Sequence, residues 1–477
     1  MKVQSVLEFA EQARAGNIGI EENTHKILDK VFAANGMNFF NVISKDLALQ
    51  QAKELDSRVK QGKASGKLFG LPVSVKDCIC VKGIESRAGS RILDGYLPVF
   101  DATVVSKAKA EGAIIIGKTS QDEFGFGTFS TNTGIGFNAP KNPFDSERSC
   151  GGSSGGSAGL TAFADFAHVS ISESTGGSIA CPAGFCGVAG FTPTYGLVSR
   201  YGLIDYANSL DKIGSMGKTV ADSALLLESI AGHDEKDSTS LNEKPSFADE
   251  KNFSTKGLKI GIIKDFFGEG INPDVSKIAW NSIKKLEKAG AKIKEISLSL
   301  NAKFSVPAYY LIAMAESSTN LAKFCGMRYG AQESLSGSFN EYFSKVRSNN
   351  FGEEAKRRIL LGTFARMSGF RDAYYLKAMK ARTRLINEFR LAFKEFDVLA
   401  NPTMPVIAPK FSEIEKLSPI EQYAMDLCTV PSNLAGLPHI SINSGFSQKM
   451  PVGIMLVADY LQEKKLFRAA SALEELQ

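Results

Sequence analysis

Histidine is scarce in this chain: four in 477 residues, at His25, His168, His233 and His439. A serine nucleophile that depends on a histidine base therefore has few candidates to draw on. Runs of about 18 uncharged apolar residues are also missing, which leaves no candidate transmembrane helix. The first residues, MKVQSVLEFAEQARAG, lack both the apolar core of a secretory signal and the arginine-rich, acid-poor pattern of a transit peptide. They read instead as an amphipathic helix with Val3, Val6, Leu7 and Ala10 on one side. No charge of one sign dominates. The net +5 is small for this length, and Lys and Arg are interspersed with Asp and Glu, so composition gives no argument for nucleic-acid binding. Seven cysteines are an odd number, which favours a reduced, cytosolic protein over a disulfide framework. Cys78 and Cys80, and Cys181 and Cys186, have no second paired cluster, so they read as small core residues and not as a zinc site.

What is present is enough apolar sequence, 43%, to bury a substantial core. Helical periodicity covers Val3–Ala15, Glu21–Ala34 and Asp46–Gly62, with a short strand at Phe39–Ile43. From residue 68 strands and helices alternate: LFGLPVSVKD, then VVSKAKAEG leading into a strand at Ala113–Gly117, then FAHVSISES. That alternation predicts an α/β fold around a sheet. Residues 125–160 are rich in Gly, Ser, Thr and Asn, and no helix is expected there before Ala158. A polar stretch around Pro245 (234–257) reads as a surface loop. Beyond it LKIGIIKDFF, a helix over Val275–Ala289 and AKIKEISL form a further unit, and 306–395 is mostly helical. DVLANPT, HISINSG and PVGIMLVAD are strands, followed by a helix over Glu463–Leu476. The chain is expected to form one domain over 1–477: a helical segment 1–65, a core 66–233, the loop 234–257, and an αβ and helical part 258–477.

Two glycine-serine segments concentrate the chemistry: Gly151-Gly152-Ser153-Ser154-Gly155-Gly156-Ser157 and Ser174-Thr175-Gly176-Gly177-Ser178. Glycines this dense allow backbone N–H groups to converge on one point, where they can hold an anion. A phosphate loop lacks the G-x-x-x-x-G-K-[ST] and G-x-G-x-x-G patterns here. A flexible Gly/Ser linker is the plain alternative, but apolar residues flank both segments (Phe163–Val169, and Ile179 to Phe191). No G-x-S-x-G elbow surrounds the serines. His25 lies in a helix, His233 beside the polar loop, and His168 alternates with apolar neighbours as a core or sheet-face residue. The base then falls to a lysine, which must be buried to act in its neutral form. Lys76, at the end of Leu71-Pro72-Val73-Ser74-Val75, is the candidate; a plain ion pair with the adjacent Asp77 is the competing reading.

L-P-V-S-V-K-D (71–77), G-G-S-S-G-G-S (151–157), S-T-G-G-S-I-A-C-P-A-G-F-C-G (174–187) and G-F-T-P-T-Y-G-L-V-S (190–199) occur in this order. Together they resemble the amidase signature family, over nearly the whole chain. The resemblance implies the amidase signature fold, a large mixed central β-sheet sandwiched by helices. It implies Ser178 as the acylated nucleophile, Ser153 as a serine with a cis peptide bond bridging Ser178 to Lys76, and Ser154 in support. The backbone N–H groups of Thr175, Gly176, Gly177 and Ser178 would form the oxyanion hole. Two departures stand out. Ser174 occupies a position where most members have Asp. The interval from Ser153 to Ser178 is one residue longer than usual, the extra residue falling within Gly159–Val169.

Further segments, K-T-S-Q-D-E-F-G-F-G (118–127), S-R-Y-G-L-I-D-Y-A-N-S-L-D-K-I-G (199–214), R-Y-G (328–330), F-G-E-E-A-K-R-R-I-L-L-G-T (351–363), D-A-Y-Y (372–375) and V-P-S-N-L-A-G-L-P (430–438), resemble the A subunits of aminoacyl-tRNA amidotransferases. This resemblance implies a cytoplasmic subunit that hydrolyses glutamine and passes ammonia to its partners. Those are a B subunit, which activates misacylated glutamyl- or aspartyl-tRNA with ATP and Mg²⁺, and a small C subunit in a heterotrimer. This subunit would need no cofactor or metal and no membrane. Arg358, with a planar fork for a carboxylate, Asp426, complementary to an ammonium, and Tyr309 match substrate-binding positions. Set against these are a surface charge in the Lys-Arg-Arg run for Arg358, with Arg357 as its competitor, and a helix-face carboxylate for Asp426. The other functions open at this stage are a free-standing amidase for a different small amide and a silent scaffold.

Overall fold

Among the described residues eleven strands join in one sheet in the order β1-β3-β2-β6-β8-β7-β12-β13-β11-β9-β10. In chain order the strands are β1 Phe40–Ile43, β2 Pro72–Lys76, β3 Ile114–Thr119, a separate hairpin of β4 Lys141–Asn142 and β5 Asp145–Ser149, then β6 Val169–Ser174, β7 Ala189–Thr192 and β8 Lys212–Gly217. The second half adds β9 Lys259–Ile263, β10 Lys292–Ile296, β11 Val398–Pro402, β12 His439–Ser447 and β13 Met450–Ala458. This computed structural model describes residues 4–243, 245 and 253–477; Val3 of the expected first helix, and 244 and 246–252 of the expected polar loop, lie outside the described residues.

The sheet is mixed. Strand β2 runs parallel to both β3 and β6, and β9 parallel to β10 and β11, while the centre from β6 through β8, β7, β12 and β13 to β11 is antiparallel. Strands covered on both faces should read as unbroken apolar runs, and β2, β3, β6 and β8 are buried at every position. Helices pack on both sides, so the expected α/β architecture of a large mixed sheet between helices is the one observed. Among the described residues no helix is long and apolar enough to cross a membrane.

Most expected elements fall within a few residues of their places. One does not. A helix occupies Gly155–Phe163, starting three residues before Ala158 and composed at first of Gly, Gly and Ser. Packing explains it: a Cβ at Gly155 would lie 2.4 Å from Ser130 Oγ, and one at Gly156 2.5 Å from the Phe39 carbonyl oxygen. The helix needs small residues to fit under these loops, and tertiary contact overrides the poor helix propensity of glycine. All seven cysteines are free and six are buried, Cys325 being half-exposed.

Candidate active site

Strands β2 and β6 run parallel and adjacent, with Val75 opposite Ile171, so their C-terminal ends arrive together. The carboxyl ends of parallel strands are where α/β proteins commonly place their sites. Lys76 is the last residue of β2 and is wholly buried. Its Nζ lies 2.8 Å from Ser153 Oγ, 3.0 Å from the Glu173 carbonyl oxygen and 2.9 Å from Glu173 Oε2. The competing Lys76–Asp77 pair does not form. Asp77 instead accepts hydrogen bonds from Asn41 Nδ2 at 2.9 Å and the Gly89 N–H at 2.8 Å, and its cation is Lys118 at 3.7 Å. Alternation along an extended chain sends neighbouring side chains to opposite faces, which separates the two.

Ser153 follows a cis peptide bond with Gly152, as the resemblance implies. Gly152 packs against the loop at Ser130–Asn132, which is held by Asp122, whose carboxylate accepts the N–H groups of Ser130 at 3.0 Å and Asn132 at 2.9 Å. Burial lifts this carboxyl to about 6 against those hydrogen bonds. Ser154 ties the two glycine segments together. Its N–H donates to the Ser178 carbonyl at 3.2 Å, and its hydroxyl donates to the Glu173 carbonyl at 3.0 Å.

The second turn, Thr175 to Ser178, crosses from the end of β6 into the helix Ala180–Cys186. Gly177 has φ +150, and a Cβ there would sit 2.3 Å from Thr429 Oγ1; at Gly176 it would meet the Tyr309 ring at 2.5 Å. Both glycines are required by this close approach. Among the described residues no hydrogen bond engages the N–H groups of Gly176, Gly177 or Ser178, so they are available to an oxyanion. Ser174 is buried, and its hydroxyl donates to Asn433 Oδ1 at 3.4 Å. The helix ending at Phe163 and the strand beginning at Val169 are joined by five residues within the Ser153–Ser178 interval.

Ser178, 7% exposed, faces a narrow, nearly closed cleft lined also by Gly176, Tyr309, Tyr310, Arg358 and Asp426. The structure thus brings every predicted substrate-binding side chain to the predicted nucleophile. Arg358 is buried; its Nε donates to Glu354 Oε1 at 2.8 Å and its Nη1 to the Tyr206 hydroxyl. The guanidinium lies 5.0 Å from the Phe126 ring centroid and 5.3 Å from that of Tyr310, so aromatic faces share its charge. Arg357 is half-exposed beside Glu354, and of the two arginines it is Arg358 that lines the cleft. Asp426 accepts from Tyr310 Oη at 2.6 Å and Thr128 Oγ1 at 3.0 Å. Burial raises its carboxyl to about 6, with the two hydrogen bonds and the Arg358 charge pulling the other way.

Among the described residues no histidine lines this cleft. His168 is buried between Ser74 Oγ at 3.0 Å and Thr161 Oγ1 at 3.2 Å, and burial holds its imidazole down at about 3. Sequence reasoning missed Glu173, Asp211, Tyr206, Thr128 and Tyr310. A signal existed for Glu173: it is the one acidic residue in the otherwise apolar and hydroxylic run Val169–Ser174. Nothing in the local sequence marks the others, which meet the cleft only through the fold.

A family model described as Amidase matches residues 22–467. The A subunit of glutamyl-tRNA(Gln) amidotransferase from Carboxydothermus hydrogenoformans is 44% identical over 473 residues, 99% of this chain and 96% of that protein. The protein of the same name from Methanosarcina barkeri is 44% identical over 475 residues, covering 99% and 97%. Among solved structures, the A subunit of glutamyl-tRNA(Gln) amidotransferase from Thermotoga maritima superposes with a TM-score of 0.74 at 40% identity, covering 86% of this chain and 84% of that one. The native peptide amidase of Stenotrophomonas maltophilia gives 0.80 at 27% identity, covering 99% and 96%. With its lysine, paired serines and glycine turn assembled at one strand end, and relatives of this closeness over nearly its full length, the chain belongs to the amidase signature family.

Proposed function

We infer that this chain is the glutamine-hydrolysing A subunit of a glutamyl-tRNA(Gln) amidotransferase. The observation that carries the reading is the meeting of Ser178, a buried arginine and a buried aspartate in one cleft, whose wall includes Gly152, the residue before the Lys76-bonded Ser153. A zwitterionic head needs both charges; an alkyl or aryl amide offers neither. Glutamine's α-carboxylate is assigned to Arg358, its α-ammonium to Asp426, and Tyr309 flanks the substrate over the glycine turn.

Ser178 Oγ attacks the carboxamide carbon as its proton passes to Ser153, whose own proton passes to Lys76 Nζ. The tetrahedral oxyanion is received by the N–H groups of Thr175, Gly176, Gly177 and Ser178; one such donor can be worth roughly 3–4 kcal/mol. Lys76 then returns the proton, through Ser153, to the departing nitrogen, and a glutamyl ester remains on Ser178. Water enters by the same relay in reverse and releases glutamate. Ser154 keeps the two glycine turns in register. Each of these steps uses side chains and backbone groups of this chain; ATP and Mg²⁺ are assigned to the partner B subunit, which activates the tRNA-borne carboxylate. A small C subunit completes the heterotrimer, in the cytoplasm. The names of the relatives support glutamyl-tRNA(Gln) as the acceptor.

Ammonia release from glutamine, acetamide and an aryl amide, measured with and without the partner subunits, tests the reading. Glutamine should be strongly preferred. Brisk turnover of the aryl amide by the chain alone, with glutamine ignored, would overturn it in favour of a free-standing amidase.

A further inference from the structure

Lys76 meets three oxygens, and two of them belong to Glu173. The carbonyl and carboxylate oxygens of Glu173 can only accept, so they take two of the amine's N–H bonds. A neutral amine has two N–H bonds and one lone pair. With both bonds directed at Glu173, the lone pair is left facing the Ser153 hydroxyl, the direction from which the proton must come.

The far side of the carboxylate fixes its charge. Glu173 Oε1 lies 2.7 Å from Thr175 Oγ1, and the same hydroxyl lies 2.9 Å from Asp211 Oδ1. One hydroxyl carries one hydrogen and cannot donate to two carboxylates at once. One of the two acids must therefore hold a proton. Asp211 is fully buried, fixed by the N–H groups of Tyr206 at 2.9 Å and Ala207 at 3.0 Å. Burial, and then the charge of Glu173, push its carboxyl well above the usual range. The order that satisfies every hydrogen is Asp211 donating to Thr175, Thr175 to Glu173, and Lys76 to Glu173, with the negative charge on Glu173.

We propose that Glu173 is a positioning residue for Lys76: its carboxylate, aligned by Thr175 and Asp211, aims the amine at Ser153 and faces the ammonium formed when Ser178 gives up its proton. No bond to Glu173 forms or breaks. The proton moves from Ser178 to Ser153 and from Ser153 to Lys76, and the carboxylate remains charged throughout. The role parallels that of the acid behind the histidine in a Ser-His-Asp triad, here supplied one residue before Ser174. This inference rests on the relay assigned above.

The other ionisable groups that feel the charge of Lys76 are Cys78, just beyond β2, and Asp122 from the loop after β3, while Asp211, from the loop before β8, feels that of Glu173. Burial keeps the Cys78 thiol neutral. Asp211 loses the upward push of the Glu173 charge when Glu173 is substituted, so Asp211→Asn is measured beside Glu173→Gln, and an acid limb that moves in Glu173→Gln but not in Asp211→Asn reports on Glu173.

The test is the rate at which a small fluorophosphonate modifies Ser178 in the assembled complex across a range of pH, followed by intact mass, with Ser178→Ala as the blank. The probe is independent of glutamine: Ser178 Oγ displaces fluoride whatever the natural amide. In Glu173→Gln, which keeps the volume and an acceptor oxygen, the acid limb of the rate should move to lower pH by about one to three units. The plateau should fall by about tenfold or more. Should Glu173→Gln fail to fold, judged by circular dichroism and melting temperature, Glu173→Ser is measured in its place with the same expectation. An unmoved acid limb in a folded variant, whether or not the plateau falls, would overturn the proposal. Absence of labelling in the parent would instead overturn the relay itself.

Discussion

The relay and the cleft it faces are built by different parts of the chain and by different means. Lys76, Ser153 and Glu173 stand on strand ends and a glycine turn within residues 72–178, and their polar contacts are with one another, with the hydroxyls of Ser154 and Thr175, or with backbone. Tyr309, Tyr310, Arg358 and Asp426 come from helices and a 3-10 turn between 299 and 428, and they meet through aromatic faces and hydroxyl groups. The first region excludes water, so a proton placed there stays in the relay. The second holds two opposite charges, already hydrogen-bonded, which on the proposed reading meet the zwitterionic head of glutamine. Chemistry and recognition are thus held apart in the fold, and substitutions in the two regions should separate kcat from KM.

The largest effect should break the first region alone. Ser178→Ala should reduce glutamine hydrolysis by the complex about 10⁴-fold or more, while transamidation driven by added ammonia persists. Loss of both would make Ser178 a residue of assembly. Lys76→Ala should be nearly as damaging, and combining it with Ser178→Ala should cost little beyond the worse single change, because the relay acts as a unit. Multiplicative losses would break that unit.

In the second region, Arg358→Lys keeps the charge but loses the planar fork, so KM for glutamine should rise about 10- to 100-fold with kcat changed far less. A fall confined to kcat would erase the distinction between the regions. The smallest effect is the pH response. With the Asp426 carboxyl lifted by burial to about 6, its charge is present above that pH and lost below it. KM for glutamine should therefore rise as pH falls through about 6 and level off above it. Asp426→Asn should have a high KM that no longer responds over that interval.

How much of this the sequence carries differs between the same two regions. Lys76, Ser153 and Ser178 lie in short segments whose glycines mark where backbone must turn, and scarce histidine points to a lysine. Strands such as β3 and β13 are legible because burial on both faces writes them as apolar runs, whereas β8, Lys-Ile-Gly-Ser-Met-Gly, is equally buried but polar and is not expected from its sequence. Arg358 and Asp426 are reachable only through family resemblance, since 68 positions separate them and each sits in an ordinary helical context. The bond from Thr128 to Asp426 spans 298 positions, and no local pattern encodes such a pairing. The helix at Gly155–Phe163 begins earlier than its composition suggests because its small residues are selected by the loops above them. Glu173 is obscured for a different reason: an acid is expected at Ser174, and the acid stands one place earlier.

The burial of Lys76 and Ser153 also fixes the form in which nitrogen leaves. On the proposed route a proton taken from Ser178 has no bulk water beside the lysine to escape into, so it travels back with the departing group. The product is born as NH3, with its lone pair intact, and not as ammonium. A second reaction that needs a nitrogen nucleophile can use that molecule directly, provided that it arrives before it meets solvent. A sealed relay in one polypeptide thereby sets a condition on how closely the next reaction must be coupled to it.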